Sequence, residues 1–171
     1  DNMTIFQLQE DIEAEVKDTL SGMLFKTPDG KEKGMNTFRH DLPKRKQDIR
    51  IGNLLGEEGE EESEEENPYP FCVVKTESGE IVDGAQRIQV SLIFGIFNDD
   101  NQNQGKDELI NVIHRISERF ITKPVLKGKY RLVKKNGIQW MLDDEDRYPY
   151  FIGAMSMDWD TFFAESEDKY A

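Results

Sequence analysis

At 171 residues the chain is long enough for one domain with a real core and short for two. Its net charge of −13 and mean hydropathy of −0.72 argue against nucleic acid as a specific partner, because phosphate binding needs clustered Lys and Arg. No apolar run approaches the roughly 20 residues of a membrane span, and the opening DNMTIFQ has neither the basic nor the apolar region of a signal peptide.

In chain order, Thr4 and Gln7 have capping-box spacing, and Ile5, Leu8, Ile12, Val16 and Leu20 recur as a helical stripe. Glu10, Glu13 and Lys17 take the wet side, and Gly22 is a natural stop. Thr27-Pro28-Asp29-Gly30 is turn chemistry, and residues 35–40 read as a short strand before Pro43. From 43 to 67 the chain carries charge and few apolar side chains, as a long loop does, with its acidic part at 53–67. Glu57, Glu58, Glu60, Glu61, Glu62, Glu64, Glu65 and Glu66 supply eight of the thirteen net negative charges, so the remainder is only mildly acidic. Lys44, Arg45, Lys46 and Arg50 lie beside this run, where pairing with it is the simplest reading.

Strand character returns at Phe71-Cys72-Val73-Val74-Lys75. Cys72 is the single cysteine, which excludes an intrachain disulfide, and an apolar strand predicts a buried, inert thiol. Ile88, Val90, Leu92, Phe94 and Ile96 then alternate with Arg87, Gln89, Ser91, Ile93 and Gly95, the period of a strand with one covered face. A polar connection over 98–105 leads to a second helix, with Leu109, Ile110, Val112, Ile113, Ile116 and Phe120 expected inward and Pro124 closing it. Asp107 and Glu108 at its start and Arg115, Arg119 and Lys123 towards its end suit the helix dipole. Asn136-Gly137 predicts a two-residue hairpin joining 130–135 to 138–143. The last strand runs over 151–161, with Phe151, Gly153, Met155, Met157 and a buried Trp159 on one face, before a polar tail at 165–171. The order predicts a single α+β domain over 1–171: a largely antiparallel β-sheet with two main helices packed on one face. One echo stands out. Asn67-Pro68-Tyr69-Pro70-Phe71 and Arg147-Tyr148-Pro149-Tyr150-Phe151 both follow an acidic run and both launch an apolar strand, since proline biases its predecessor to extended conformation.

Candidate sites are few. Asp99, Asn101 and Asn103 alternate as in a calcium loop, but the glycine falls one place late, at Gly105, and the bidentate acid position is Ile110. Asp143, Asp144, Glu145 and Asp146 are the one acidic cluster with the makings of a metal-dependent hydrolase, although a solvated turn is the simpler reading. The only histidines are His40 and His114, and His114, on the flank of a helical stripe, is expected half-buried and structural. No phosphate loop, nucleophile elbow, CxxC or HExxH is present, so no catalytic residue, metal or cofactor is assigned. Tyr148, Tyr150, Phe162 and Phe163 are the candidate subunit or partner surface, and the eight glutamates are a candidate electrostatic loop.

The stretches YPFCVVK, IQVSLIFGIFNDD, NQGKDELINVIHRI and IQWMLDDEDRYPYFIGAMSMDW resemble small prophage proteins of Gram-positive hosts. That group sits among the head–tail joining and tail-terminator proteins of long-tailed phages, and the motifs span a little over half the chain, from about residue 68 to 163. The resemblance implies a non-enzymatic α+β subunit of the virion, assembled in the host bacterial cytoplasm. It further implies a ring of copies, six in number, that caps the tail tube protein and docks to a neck or connector protein. Such a ring needs a heterologous interface, one patch meeting a different patch of the next copy. Another neck or tail-completion component is the alternative within phage assembly. In a ring, the glutamate loops would concentrate negative charge at one rim or in the lumen.

Overall fold

The computed structural model describes residues 5–43 and 67–162, the side chain of Phe162 excepted. Thr4 of the expected cap, the basic cluster 44–50, the eight glutamates from Glu57 to Glu66, Phe163 and the tail 165–171 lie outside the described residues. The elements are α1 (Ile5–Thr19), β1 (Phe25–Lys26), β2 (Glu32–Lys33), β3 (Asn36–Arg39), β4 (Phe71–Val82) and β5 (Ala85–Phe97). They continue with α2 (Gln104–Thr122), β6 (Val125–Leu126), β7 (Tyr130–Leu132), a 3-10 turn (Lys134–Asn136), β8 (Ile138–Leu142) and β9 (Tyr150–Phe162). β1 and β2 form a small hairpin around the Thr27–Gly30 turn. The main sheet runs β3-β4-β5-β9-β7-β6, with β8 also on β9, and is antiparallel except where β3 meets β4. With its two helices this is the α+β architecture that the pattern predicts.

The alternation in β5 decides which face is covered. Ile88, Val90, Leu92, Phe94 and Ile96 are all at most 1% exposed, and they stand opposite Trp159, Met157, Met155, Gly153 and Phe151 of β9. Cross-strand partners share a face, so this is one continuous apolar surface. α1 lays Leu8, Ile12 and Val16 on it, and α2 adds Leu109, Val112, Ile113, Ile116 and Phe120, all within one core. Both helices therefore pack on the same face. Each fully buried side chain of this size contributes about 1.5–3 kcal/mol. Phe120 meets Trp159 edge to face at 5.1 Å, and Arg119 of α2 pairs with Glu15 of α1.

Four expectations change. Ile5 and Ile110 are 40% and 42% exposed and belong to neither stripe. On α2 the buried positions 109, 112, 113, 116 and 120 make one stripe, and residue 110 is turned about 100° from Leu109. β4 continues past Lys75 to Val82 and turns back through Asp83 and Gly84, both at positive φ, into β5. This hairpin is faint in sequence because 77–82 is exposed and has no covered face to impose alternation. Finally, Asn136-Gly137 does not make a hairpin. β7 and β8 both pair with β9, against residues 159–161 and 153–157 respectively, so they lie end to end along one edge. Asn136 closes a 3-10 turn and Gly137 takes φ 71, ψ −174, which carries the chain onward where a two-residue hairpin would reverse it.

The echo seen in sequence is a spatial one. Phe71 and Ile152 both stand opposite Gly95, and Tyr150 stands opposite Phe97, so the two Tyr-Pro segments flank the end of β5. Both Tyr-Pro bonds are cis, and the carbonyls of Pro70 and Pro149 each accept a backbone N–H, from Asn36 and Asn98, at 2.9 Å. On the face away from the helices, Tyr69 stacks near Tyr150 (4.7 Å) and Phe71 (5.0 Å), and Tyr150 near Phe97 (5.6 Å).

Candidate functional site

The acidic turn follows β8 and folds back on itself. Arg147 gathers it: Nε donates to Asp143 Oδ2 and Nη2 donates to Glu145 Oε2, both at 2.6 Å. The Glu145 amide donates to Asp143 Oδ1 at 3.1 Å, and the Tyr148 amide donates to Asp146 Oδ1 at 3.2 Å. That backbone amide first, and then the guanidinium, hold the Asp143 carboxyl below the usual carboxylate range. The same pairing raises Arg147. Asp143, Asp144, Glu145 and Asp146 therefore do not converge. Asp143 and Glu145 are both engaged by one arginine that a cation would have to displace, and among the described residues no group of three His, Cys, Asp or Glu is arranged to hold a metal.

Between this turn and the start of α2 lies a cleft of about 290 Å³, lined on one side by Asn103, Lys106 and Leu109 and on the other by Asp143, Asp146 and Tyr148. The adjoining 98–103 connection is fixed by Asn98, whose Nδ2 donates to Glu108 Oε1 at 2.6 Å. Burial raises the Glu108 carboxyl, and the hydrogen bond from Asn98 opposes that rise. Cys72 is fully buried, and burial pushes its thiol far above the ordinary range. His114 is not half-buried as expected: its side chain is 74% exposed and lies 3.7 Å from Glu118, because position 114 falls just outside the α2 stripe. His40 sits at φ 69, with Nδ1 3.4 Å from Gln9 Nε2.

Of the expected partner residues, Tyr148 is exposed, yet its hydroxyl donates to the Asp99 carbonyl and ties the acidic turn to the 98–103 connection. Tyr150 is half-buried in the aromatic group described above. Phe162 ends β9 by its backbone; its side chain and Phe163 lie outside the described residues.

No protein-family model matches the chain, and no curated protein matches it.

Ile81 (60%) and Val82 (57%) are exposed at the tip of the β4–β5 hairpin, and Trp140 (54%) and Met141 (67%) are exposed on β8. Residues 123–135 carry Lys123, Lys127, Lys129, Arg131, Lys134 and Lys135 without a single acid, in a chain of net charge −13. That imbalance is readable in sequence once the large glutamate run is set aside. Its position, on the sheet edge opposite the hairpin, is not readable before the strand order is known.

Proposed function

We propose that this chain is a non-enzymatic assembly subunit of a long-tailed phage, a tail terminator that caps the tail tube and joins it to the neck as a ring of copies. The reading rests on the Tyr-Pro strand launches, the alternating strand and the closing tryptophan that resemble that group. The observation that favours it over an enzyme is the Arg147 clasp, which occupies the one carboxylate cluster that a metal-dependent hydrolase would need. Beside that closed cluster and the buried thiol, the sheet presents edges of different charge, acidic at the β4–β5 hairpin and basic at β6–β7.

The test combines sedimentation with electron microscopy of purified tail tubes. The expected result is an oligomer that grows with concentration and a plug of density at one end of each tube. A monomer at every concentration, together with bare tube ends, overturns the reading. Location in labelled particles separates a terminator from another neck component. Calorimetry addresses the hydrolase: binding of Mg²⁺ or Mn²⁺ that vanishes in Asp143→Asn/Asp146→Asn would restore it.

A further inference from the structure

A row of charge crosses the sheet from edge to edge. The register sets Glu80 of β4 opposite Arg87 of β5, Arg87 opposite Asp160 of β9, Asp160 opposite Arg131 of β7, and Arg131 opposite Val125 of β6. All stand on the face away from the helices, because Arg87 alternates with the buried Ile88. In the middle, Arg87 Nε and Nη2 donate to the two Asp160 oxygens at 2.9 and 3.1 Å, a fork on a carboxylate. The ends are different. Glu80, whose charge acts on Arg87 without touching it, and Arg131 are exposed, and neither makes an ion-pair contact among the described residues.

Around each end the charge has one sign. Beside Glu80 lie Glu77 and Asp83, with the exposed Ile81 and Val82 between them. β3 covers the outer edge of β4 only as far as Val74, and among the described residues no strand covers the rest. At the opposite edge lies the basic strip 123–135, with Val125 42% exposed. Lys127 and Lys129 act on Asp11 of α1, whereas Lys123, Arg131, Lys134 and Lys135 have no ion pair among the described residues.

We infer that these edges are the two halves of one head-to-tail joint between copies, the acidic outer edge of β4 lying on the basic β6–β7 edge of the next copy. The joint rests on the ring proposed above and names its interface. Glu80 and Arg131 occupy one row, so copies set edge to edge bring the acidic end of one row to the basic end of the next, a heterologous contact of the kind a ring requires. Val125 is the outermost residue of the row, so Glu80 of one copy lies against it and reaches for Arg131 of the neighbour, one strand further in on the same face. β6 is two residues long and runs parallel to β4, so few backbone hydrogen bonds can form there. Opposite charge and the apolar contact of Val82, which shares the face of Glu80, with Val125 supply the attraction, and the charge part is screened by salt. A nucleic acid would also suit the basic strip, but it leaves the acidic edge without a counterpart; a second copy uses both.

Sedimentation velocity on the full chain, with thermal melts to verify folding, tests the joint through Glu80→Lys, Arg131→Glu and the double variant. The wild-type chain should associate, and the association should weaken as salt rises from about 0.05 to 0.5 M. Each single reversal should raise the dissociation constant about tenfold or more, and the double reversal should recover most of the loss. Single variants that associate like wild type overturn the joint and leave the ring reading standing. A wild-type chain that stays monomeric and leaves tail tubes bare overturns both. A monomer that binds duplex DNA, and loses it in Arg131→Glu, makes the strip a phosphate site and overturns the joint.

Discussion

A methyl group on Gly95 would fall 2.3 Å from Cε1 of Phe71 and 2.8 Å from Cε1 of Tyr69, so the aromatic group at the Tyr-Pro end exists only because this position has no side chain. Gly95→Ala must push two half-locked rings aside, and overpacking of this kind costs about 1–3 kcal/mol. Urea unfolding should show that loss together with a changed near-ultraviolet tyrosine signal; unaltered stability would mean the rings yield freely. Asp143 gives a second test at this scale. Its folded-state pKa lies below the unfolded value, so its stabilising effect is complete above the ordinary carboxylate range and disappears as pH falls through the lowered value. Carboxyl chemical shifts should show Asp143 titrating below pH 3.8, the unperturbed value, and moving upward in Arg147→Gln, with the Glu145 amide retaining part of the depression. Single residues were partly legible in the chain itself. Trp159 and Cys72 are buried as their phase demands, because burial follows alternation. The Arg147 clasp was hidden, since which carboxylates an arginine four residues away can reach depends on the path of the turn.

The two Gly-containing turns behave differently for a reason that belongs to the elements around them. At 83–84 both residues adopt positive φ (50 and 74) and β4 folds directly onto β5. At 136–137 the neighbouring segments have a better partner than each other, the long edge of β9, and the chain advances along it. Gly137 holds φ 71 with ψ −174, a region nearly confined to glycine, while the space beside it is open, with nothing nearer than Gln139 Nε2 at 3.7 Å. Gly137→Ala should therefore cost about 1–3 kcal/mol through backbone strain and not through a clash. Hydrogen exchange should quicken in 138–142 more than in β5; uniform protection would place the strain elsewhere. Strongly periodic elements, α1, α2, β5 and β9, were readable because one face of each is buried. The distal half of β4 was not, because it is exposed and no covered face imposes alternation, and the β7–β8 relation was not, because both strands are placed by β9, a later segment of the chain.

For the molecule as a whole, one core couples both helices to the sheet, so a cavity at its centre should lower a single unfolding transition. Leu92 is fully buried on the central strand, and Leu92→Ala should cost about 2–5 kcal/mol. The two tryptophans report separately on that transition: Trp159 is fully buried and Trp140 is 54% exposed. Iodide should quench about half of the native fluorescence, and Trp140→Phe should remove the quenchable part; equal quenching of both would contradict the packing of β9. The placement of β9 has a further consequence, for biosynthesis. β9 pairs with β5 from Ala85 to Phe97 and holds β7 and β8 on its other side, yet it is the last described strand in chain order. While the ribosome is still making β6 to β8, the hairpin edge and the basic edge belong to no common sheet. Only emergence of residue 162 brings them into one row, so a nascent or truncated chain cannot present a matched pair of edges. Presentation of both edges in one sheet is thereby tied to the emergence of β9 from the ribosome.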